Sequence, residues 1–505
     1  MAKDATLDKS EKHILTIAKG GILALIGRVF DGGIKYLFDV IIAIFLGSAS
    51  GGIYFLSASI VLIAQYVAIF GLPAAVIRFT AIFKGRGGES RIKGCIYSSL
   101  LLGILFSSLV TIVLLLTSNF LAQTIFHKPG IDFILKYLSL SVPLVTISNI
   151  LSRATRAFKG MKYEVYSLYL AEAFTKIFLA LLFLQKGWGI KGVIIAYITS
   201  CLVGALLSTY YAIKTFSNWH KEIIPLFQFK KIISFAFPSL LIGFLSTLMI
   251  RIDLLSLGYL SSAKEVGIYN IAAKIAYIIT LIFLSFNSIF SPIISELYSK
   301  NEHAKLNDLF KVQNRWIFTV SLPLALLLIL FAAPILNLIG QEFAKGYLCL
   351  AVLSAAMILI SCMASVEVML VYSGKVYLNL LDSISACIIN VILNFLLIPR
   401  FGMLGAAIST GISLTGINLV RLAQVEKNLR LNPLSKKMSK PFFSAMAAFL
   451  FTFILKSAIS LAGIIWLMLY AAMFLSSYAA ILYYIGLEKE DSLIMRQVMA
   501  KIKVS

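Results

Sequence analysis

The stretch FLGSASGGIYFLSASI, residues 45–60, returns about 214 residues later as YLSSAKEVGIYNIAAKI, residues 259–275, with Gly52-Ile53-Tyr54 matching Gly267-Ile268-Tyr269. A second pair keeps nearly the same offset: GWGIKGVIIA at 187–196 and RFGMLGAAIS at 400–409. The spacing between copies holds about six apolar runs. An even number of crossings gives both copies the same orientation, so the repeat is parallel, related by an axis along the membrane normal.

Those runs lie in a chain of 505 residues that is 60% hydrophobic, with a mean hydropathy of +0.94. Stretches of about 20 apolar residues recur throughout, each long enough to cross roughly 30 Å of hydrocarbon as a helix. The expected fold is an all-α polytopic membrane protein of fourteen transmembrane helices, from 15–46 to 462–486. The ninth is placed at 315–339 and the tenth at 345–373. The organisation is a short cytoplasmic N-terminal segment (1–14), a first six-helix bundle (15–214), a linker (215–230), a second six-helix bundle (231–425) and a basic loop (426–440). Two added helices (441–486) and a tail (487–505) follow. The polar start, MAKDATLDKSEKH, lacks the apolar core of a signal peptide, so the first helix is expected to be retained.

Net charge is +23. In a hydrophilic chain that points to nucleic acid; here the positives collect in short loops. About 31 Lys and Arg fall on the side of the N-terminus and about 7 on the other. Lys84, Arg86, Arg91 and Lys93 precede helix three, and six more lie between Arg421 and Lys440, whereas 47–51 has none. The positive-inside rule then places both termini in the cytoplasm of a cell-membrane protein, which requires an even helix count. The five cysteines are scattered without a CxxC and read as small apolar helix residues.

Seven cations sit within the apolar stretches: Arg28, Lys35, Arg78, Lys136, Lys176, Arg251 and Lys274. A charge at the bilayer centre is costly, so each is expected to face a wet cavity or a partner. On helix one, Arg28, Asp31, Lys35 and Asp39 form one stripe of alternating sign, either a self-neutralised ladder or a cavity wall. Asp39 and Asp253 occupy equivalent repeat positions and are candidates for ion coupling, with pairing to Lys35, Arg251 or Lys274 the plainer reading. Glu172 and Lys176 have the acid-first i,i+4 order of a salt bridge. Arg78 either meets a lipid headgroup or snorkels. Glu367 and Asp382 are gate or interface candidates, and Arg153 and Arg156 read as inside-positive anchors. Prolines 143, 238, 292 and 323 fall inside helices and permit kinks.

The segment RIDLLSLGYLSSAKEVGIYNIAAKI (251–275) resembles the Asp, Gly-x-Leu, Gly-Ile-Tyr-x-x-Ala run of the polysaccharide transporter family, the Wzx-type flippases of lipid-linked oligosaccharides. FLGSASGGIYFLSASI followed by FGLPAAVIRF (70–79) resembles that family's first two helices. The family shares a superfamily with MATE exporters and lipid II flippases. The resemblance implies two six-helix bundles around a central cavity and alternating access. It also implies a polyprenyl-(pyro)phosphate oligosaccharide as cargo, bound by Arg28, Lys35, Arg78, Lys176, Arg251 and Lys274. Asp31, Asp39, Glu172, Asp253 and Asp382 would then serve coupling or gating. The expectation is a monomer among membrane lipids, not an enzyme, with no metal or cofactor, coupled to H+ or Na+. Glycan polymerases or glycosyltransferases are the expected partners. A MATE-like multidrug exporter and a membrane-embedded polymerase or ligase are the alternatives. A cation-rich cavity disfavours the first, and the lack of a large external loop disfavours the second.

Overall fold

The computed structural model describes residues 9–85, 88–158, 161–216, 223–458, 463–486, 488 and 490–491, and the side chains of 9–31 fall outside that set. Among the described residues, thirteen helical stretches are long and apolar enough to cross a membrane. The first of them, Gly32–Lys84, holds 53 residues. It is broken at Gly47, whose φ of 71° and ψ of −178° leave the helical region. Glycine reaches that conformation without a Cβ clash. The break divides this helical stretch into α1 (9–46) and α2 (48–84), so the described residues hold fourteen candidate crossings, as the sequence predicts. α2 bends again at Phe70-Gly71, both at positive φ.

The remaining helices are α3 (Glu89–Ile125), α4 (Ile131–Arg156), α5 (Lys162–Gln185), α6 (Gly189–Phe216), α7 (Phe229–Leu260), α8 (Ala263–Ser299) and α9 (His303–Leu330). They continue with α10 (Phe343–Ser361), α11 (Val376–Phe401), α12 (Met403–Leu429), α13 (Lys436–Ala458) and α14 (Ile464–Ile485). α9 begins twelve residues before its expected start, because HAKLNDLFKVQNRW is an amphipathic extension that turns Leu306, Phe310, Gln313 and Asn314 inward. α10 stops at Ser361; a turn at 362–365 separates it from a short helix, Val366–Tyr372.

Hydroxyl side chains sit inside these apolar helices by bonding back to their own backbone. Ser59 donates to the Phe55 carbonyl at 2.7 Å, and Thr146 and Thr452 do the same four residues back. Each hydroxyl is thereby satisfied without water.

Packing divides the chain into two units, Met1–Gly267 and Ile268–Ser505. In unit one, Leu72, Val76, Ile92, Ile96, Ile150 and Ile232 form a core between α2, α3, α4 and α7. The linker before α7 is strapped to α3: Lys93 Nζ donates to the Ile223 carbonyl at 2.9 Å, Leu226 N to Ser90 O at 3.0 Å and Gln228 N to Ser98 Oγ at 3.2 Å. In unit two, Phe290, Ile294, Phe310 and Met369 form one core, and Phe318, Leu322, Ala445, Ala448 and Phe474 hold α13 and α14 against α9.

The repeat is visible in backbone geometry within each unit. The α5–α6 turn has Gly189 at φ 54° and the α11–α12 turn has Gly402 at φ 56°. Three residues on, Gly192 and Gly405 lie so tightly against the preceding helix that an added Cβ would overlap Phe183 and Leu397 respectively. Gly47 and Ser261 are the non-helical residues at the two equivalent elbows, α1–α2 and α7–α8.

Candidate functional site

A polar centre forms in unit one where α1, α2, α4, α5 and α6 converge. Lys176, 5% exposed, is one of the few charged side chains buried in the bundle. Its ammonium lies 3.7 Å from Glu172 Oε1, 5.8 Å from the Phe38 ring centre and 5.3 Å from that of Tyr197. One carboxylate and two aromatic faces replace the water it loses. The expected i,i+4 ion pair is therefore present, with an aromatic box the sequence did not reveal. Gln65 of α2 extends the centre, donating to Ser141 Oγ at 3.0 Å and to the Tyr197 hydroxyl at 3.3 Å. Asp39 follows Phe38 directly and is 8% exposed. Just before Glu172, residues Val165–Ala171 adopt π-helical geometry, an insertion common at functional sites. Gly204 leaves the space that Glu172 fills: a Cβ there would come within 2.8 Å of Glu172 Oε2.

The other predicted residues are distributed differently. Arg28 and Asp31 lie outside the described side chains. Lys35 is exposed, Arg251 and Lys274 are half-buried and Asp253 is 3% exposed; none of these, nor Asp39, is without an interaction. Asp39 and Asp253 each sit about two turns before their elbow. Lys136 is 48% exposed and pairs with Asp132 at 3.8 Å.

Arg78 is the distinctive cation. It is exposed on the last part of α2, and its guanidinium stacks 4.5 Å above the Phe235 ring of α7. No carboxylate pairs with it among the described residues. Stacking fixes the plane of the fork and leaves its N–H edge free for an anion.

Unit two holds two polar clusters that the sequence reading missed or misplaced. Arg421, read as a loop cation, is inside α12 and 5% exposed. It donates to Glu367 Oε2 at 3.1 Å and to Ser383 Oγ at 3.0 Å, with its Nε 4.0 Å from Asp382 Oδ2. Asp382 accepts from Gln424 at 2.7 Å. Asp382 and Glu367 therefore belong to a clasp joining α12 to α11 and the short helix after α10. The second cluster sews the α10 interruption: Gln313 Nε2 donates at 2.8 Å to both Asn287 Oδ1 and Ser365 Oγ, and Asn314 Oδ1 accepts from Ser365 N at 3.2 Å. Nearer the α11–α12 turn, Asn394 donates to Asn390 at 2.9 Å, and Tyr269 meets Thr410 at 3.3 Å.

Arg153 and Arg156, expected as plain anchors, both turn to the buried Glu164, at 2.8 and 3.7 Å, and Tyr169 donates to the same carboxylate. Arg315 is likewise buried and held by the tail: Asp491 accepts two bonds from it at 2.7 and 2.8 Å and a third from Trp316. Lys437 and Lys440 add ion pairs to Glu488 at 3.1 and 2.8 Å.

Comparison with known proteins agrees with this architecture. The chain is 24% identical over 408 residues to the probable low-salt glycan biosynthesis flippase Agl15 of Haloferax volcanii, covering 79% of this chain and 81% of that one. A solved structure of the lipid II flippase MurJ in an inward closed conformation superposes with a TM-score of 0.74 at 13% identity, covering 95% of this chain and 99% of that one. An inward-facing MATE multidrug transporter gives a TM-score of 0.66 at 17% identity, covering 78% and 94%. These likenesses establish a MATE-like membrane fold. A MatE family model matches 238–396. The polysaccharide biosynthesis protein model matches 17–298, more than half the chain, and the protein belongs to that family.

Proposed function

We propose that the protein is a flippase of glycan biosynthesis. It moves a polyprenyl-(pyro)phosphate-linked oligosaccharide across the cell membrane by alternating access, with both termini cytoplasmic. Arg78 carries this reading. It is the one predicted cation that is exposed, stacked and free of a carboxylate among the described residues, so it presents a planar donor edge to a phosphate. It lies toward the basic-loop end of α2, where a cytoplasmic cargo enters. The unit-one centre supplies a second polar station. There Lys176 and Glu172 neutralise one another, and Asp39 and Asp253 are the carboxylates proposed to respond to H+ or Na+. No bond in the cargo is made or broken.

The test is transport of a fluorescent lipid-linked oligosaccharide by protein in liposomes, with Arg78→Ala and Arg78→Lys compared. Loss of one charge-assisted interaction of about 1.5–3 kcal/mol predicts a fall of roughly tenfold or more for alanine. Lysine keeps the charge but not the fork and is expected to fall between. Unchanged transport in Arg78→Ala would remove the basis of the proposal. Export of cationic dyes in place of the glycan lipid would replace it with the exporter reading.

A further inference from the structure

The tail clasp of unit two has the chemistry of an anion receptor. Arg315 and Trp316 begin the apolar part of α9, and Lys437 and Lys440 stand at the start of α13. Together with Glu488, Glu490 and Asp491 they all lie in unit two. Three cations there meet three carboxylates: Arg315 faces Glu490 and Asp491, Lys437 faces Glu488 and Glu490, and Lys440 faces Glu488. The donors exceed what the carboxylates use. Asp491 Oδ2 accepts from Arg315 Nη1 at 2.7 Å and from Glu488 N at 3.3 Å. Its Oδ1 accepts from Arg315 Nη2 and Trp316 Nε1, both at 2.8 Å. Both oxygens are then filled, and the buried Arg315 Nε–H has no acceptor among the described residues. A guanidinium fork, an indole N–H beside it and two ammonium groups match a phosphate as well as a carboxylate. A phosphate also brings the further oxygen that Nε lacks.

Apolar surface adjoins these donors. One turn beyond Arg315 on α9, Phe318 lines a cavity of about 460 Å³ together with Leu434, Met438, Phe442 and the exposed Lys436. Lys436 and Met438 flank Lys437 in the chain. Tryptophan favours headgroup depth, and basic pockets between helices at that depth take anionic headgroups. A free anion would use only the polar half of such a site; a phosphate with an acyl chain uses both.

We propose that this cradle binds an anionic phospholipid of the leaflet facing the basic loop, and that the acidic turn 488–491 is its built-in competitor. The carboxylates hold the donors when the lipid is absent. The lipid phosphate takes over Arg315 and Trp316 when it is present, and the turn is released. The proposal does not depend on the identity of the cargo.

The test uses the full chain with Trp316 as its only tryptophan, the other three replaced by phenylalanine, in phosphatidylcholine liposomes. Quenching of Trp316 emission is titrated with phosphatidylglycerol brominated on its acyl chains and, separately, with brominated phosphatidylcholine. Half-quenching is expected at a several-fold smaller share of the anionic lipid. The double change Glu488→Gln, Glu490→Gln weakens the competitor, keeps the Arg315–Asp491 fork and is expected to widen that preference about tenfold. The double change Lys437→Gln, Lys440→Gln leaves the carboxylates in excess over Arg315 and is expected to erase it. Equal quenching by both lipids in the parent, or an unchanged preference in either variant, overturns the proposal. Relief of quenching by millimolar inorganic phosphate would make the ligand a free anion, and complete relief by an equal share of polyprenyl phosphate would make it the cargo class; either result overturns it too. If the tail variant does not yield monodisperse protein, the lysine variant decides, because its side chains are 46% and 34% exposed: a retained preference overturns the proposal.

Discussion

The Arg315–Asp491 pair offers a prediction whose size depends on which partner is removed. Arg315 has a side-chain exposure of 5% and Asp491 of 24%. Asp491→Asn leaves a buried guanidinium with one acceptor fewer and Glu490 at 3.4 Å as its remaining anion. Removing one partner of a buried pair costs about 3–5 kcal/mol, and the retained amide oxygen puts this case near the lower end. Arg315→Met removes the buried charge itself. Asp491 then keeps the Trp316 indole at 2.8 Å and the Glu488 backbone N–H at 3.3 Å, and it is partly hydrated. The loss there is that of ordinary hydrogen bonds, about 1–2 kcal/mol. With roughly 2–4 °C per kcal/mol for a unit of this size, Asp491→Asn, at about 3 kcal/mol, should lower the unfolding midpoint by about 6–12 °C and Arg315→Met by about 2–8 °C. Thermal unfolding of detergent-purified protein followed by intrinsic fluorescence measures both. A larger shift for Arg315→Met than for Asp491→Asn would refute the assignment of the cost to a stranded cation.

The same tail should titrate in acid. Lys440 and Lys437 hydrogen-bond Glu488 and hold its carboxyl below the usual range; the backbone N–H of Glu490 and then Lys437 do so for Glu490. Folded values below the unfolded ones mean stability that is present above about pH 4.3 and is lost as pH falls through the lowered values, so unfolding midpoints should stay level from pH 7 to 5 and drop below about 4. Gln313→Leu deletes the two bonds that Gln313 donates at the α10 interruption and should destabilise by about 1–3 kcal/mol, read as a lowered midpoint. In the unit-one centre, Glu172→Gln and Lys176→Met together should cost less than the sum of the single changes, by about 1 kcal/mol in a double-mutant cycle; strict additivity would mean the two groups do not interact. Gly405→Ala forces a methyl group into the Leu397 backbone and should cost about 1–3 kcal/mol, while Gly416→Ala, which has open space, should not.

Much of the architecture was readable because lipid imposes simple rules. Apolar runs, alternating loop charge and the repeated glycines were sufficient for fourteen crossings, and Gly47 supplied the break that separates the first two. Local pairs were equally legible: Glu172 and Lys176 are one turn apart and meet. What escaped depends on distant partners. Arg315 and Asp491 are 176 residues apart, and Arg421 finds Glu367 54 residues away, so neither pairing is visible in the sequence. Phe38 and Tyr197 around Lys176 are indistinguishable in sequence from the lipid-facing rings among 36 Phe and 22 Tyr. The start of α9 was missed because its first turns carry Gln313 and Asn314 on the inner face, and inward polar groups weaken the apolar signal.

The division at Gly267 bears on how such a chain can evolve. The second copy of the repeat starts ahead of α7, yet α7 packs into unit one, held by the linker strap on α3 and by packing against α2. An ancestral half-length protein would have had to form this contact between separate subunits. In this chain the first copy is covered by a helix that belongs to the second. A gene fragment ending near residue 214 should therefore yield an insoluble or degraded product, whereas one ending beyond residue 267 retains the helix that covers it.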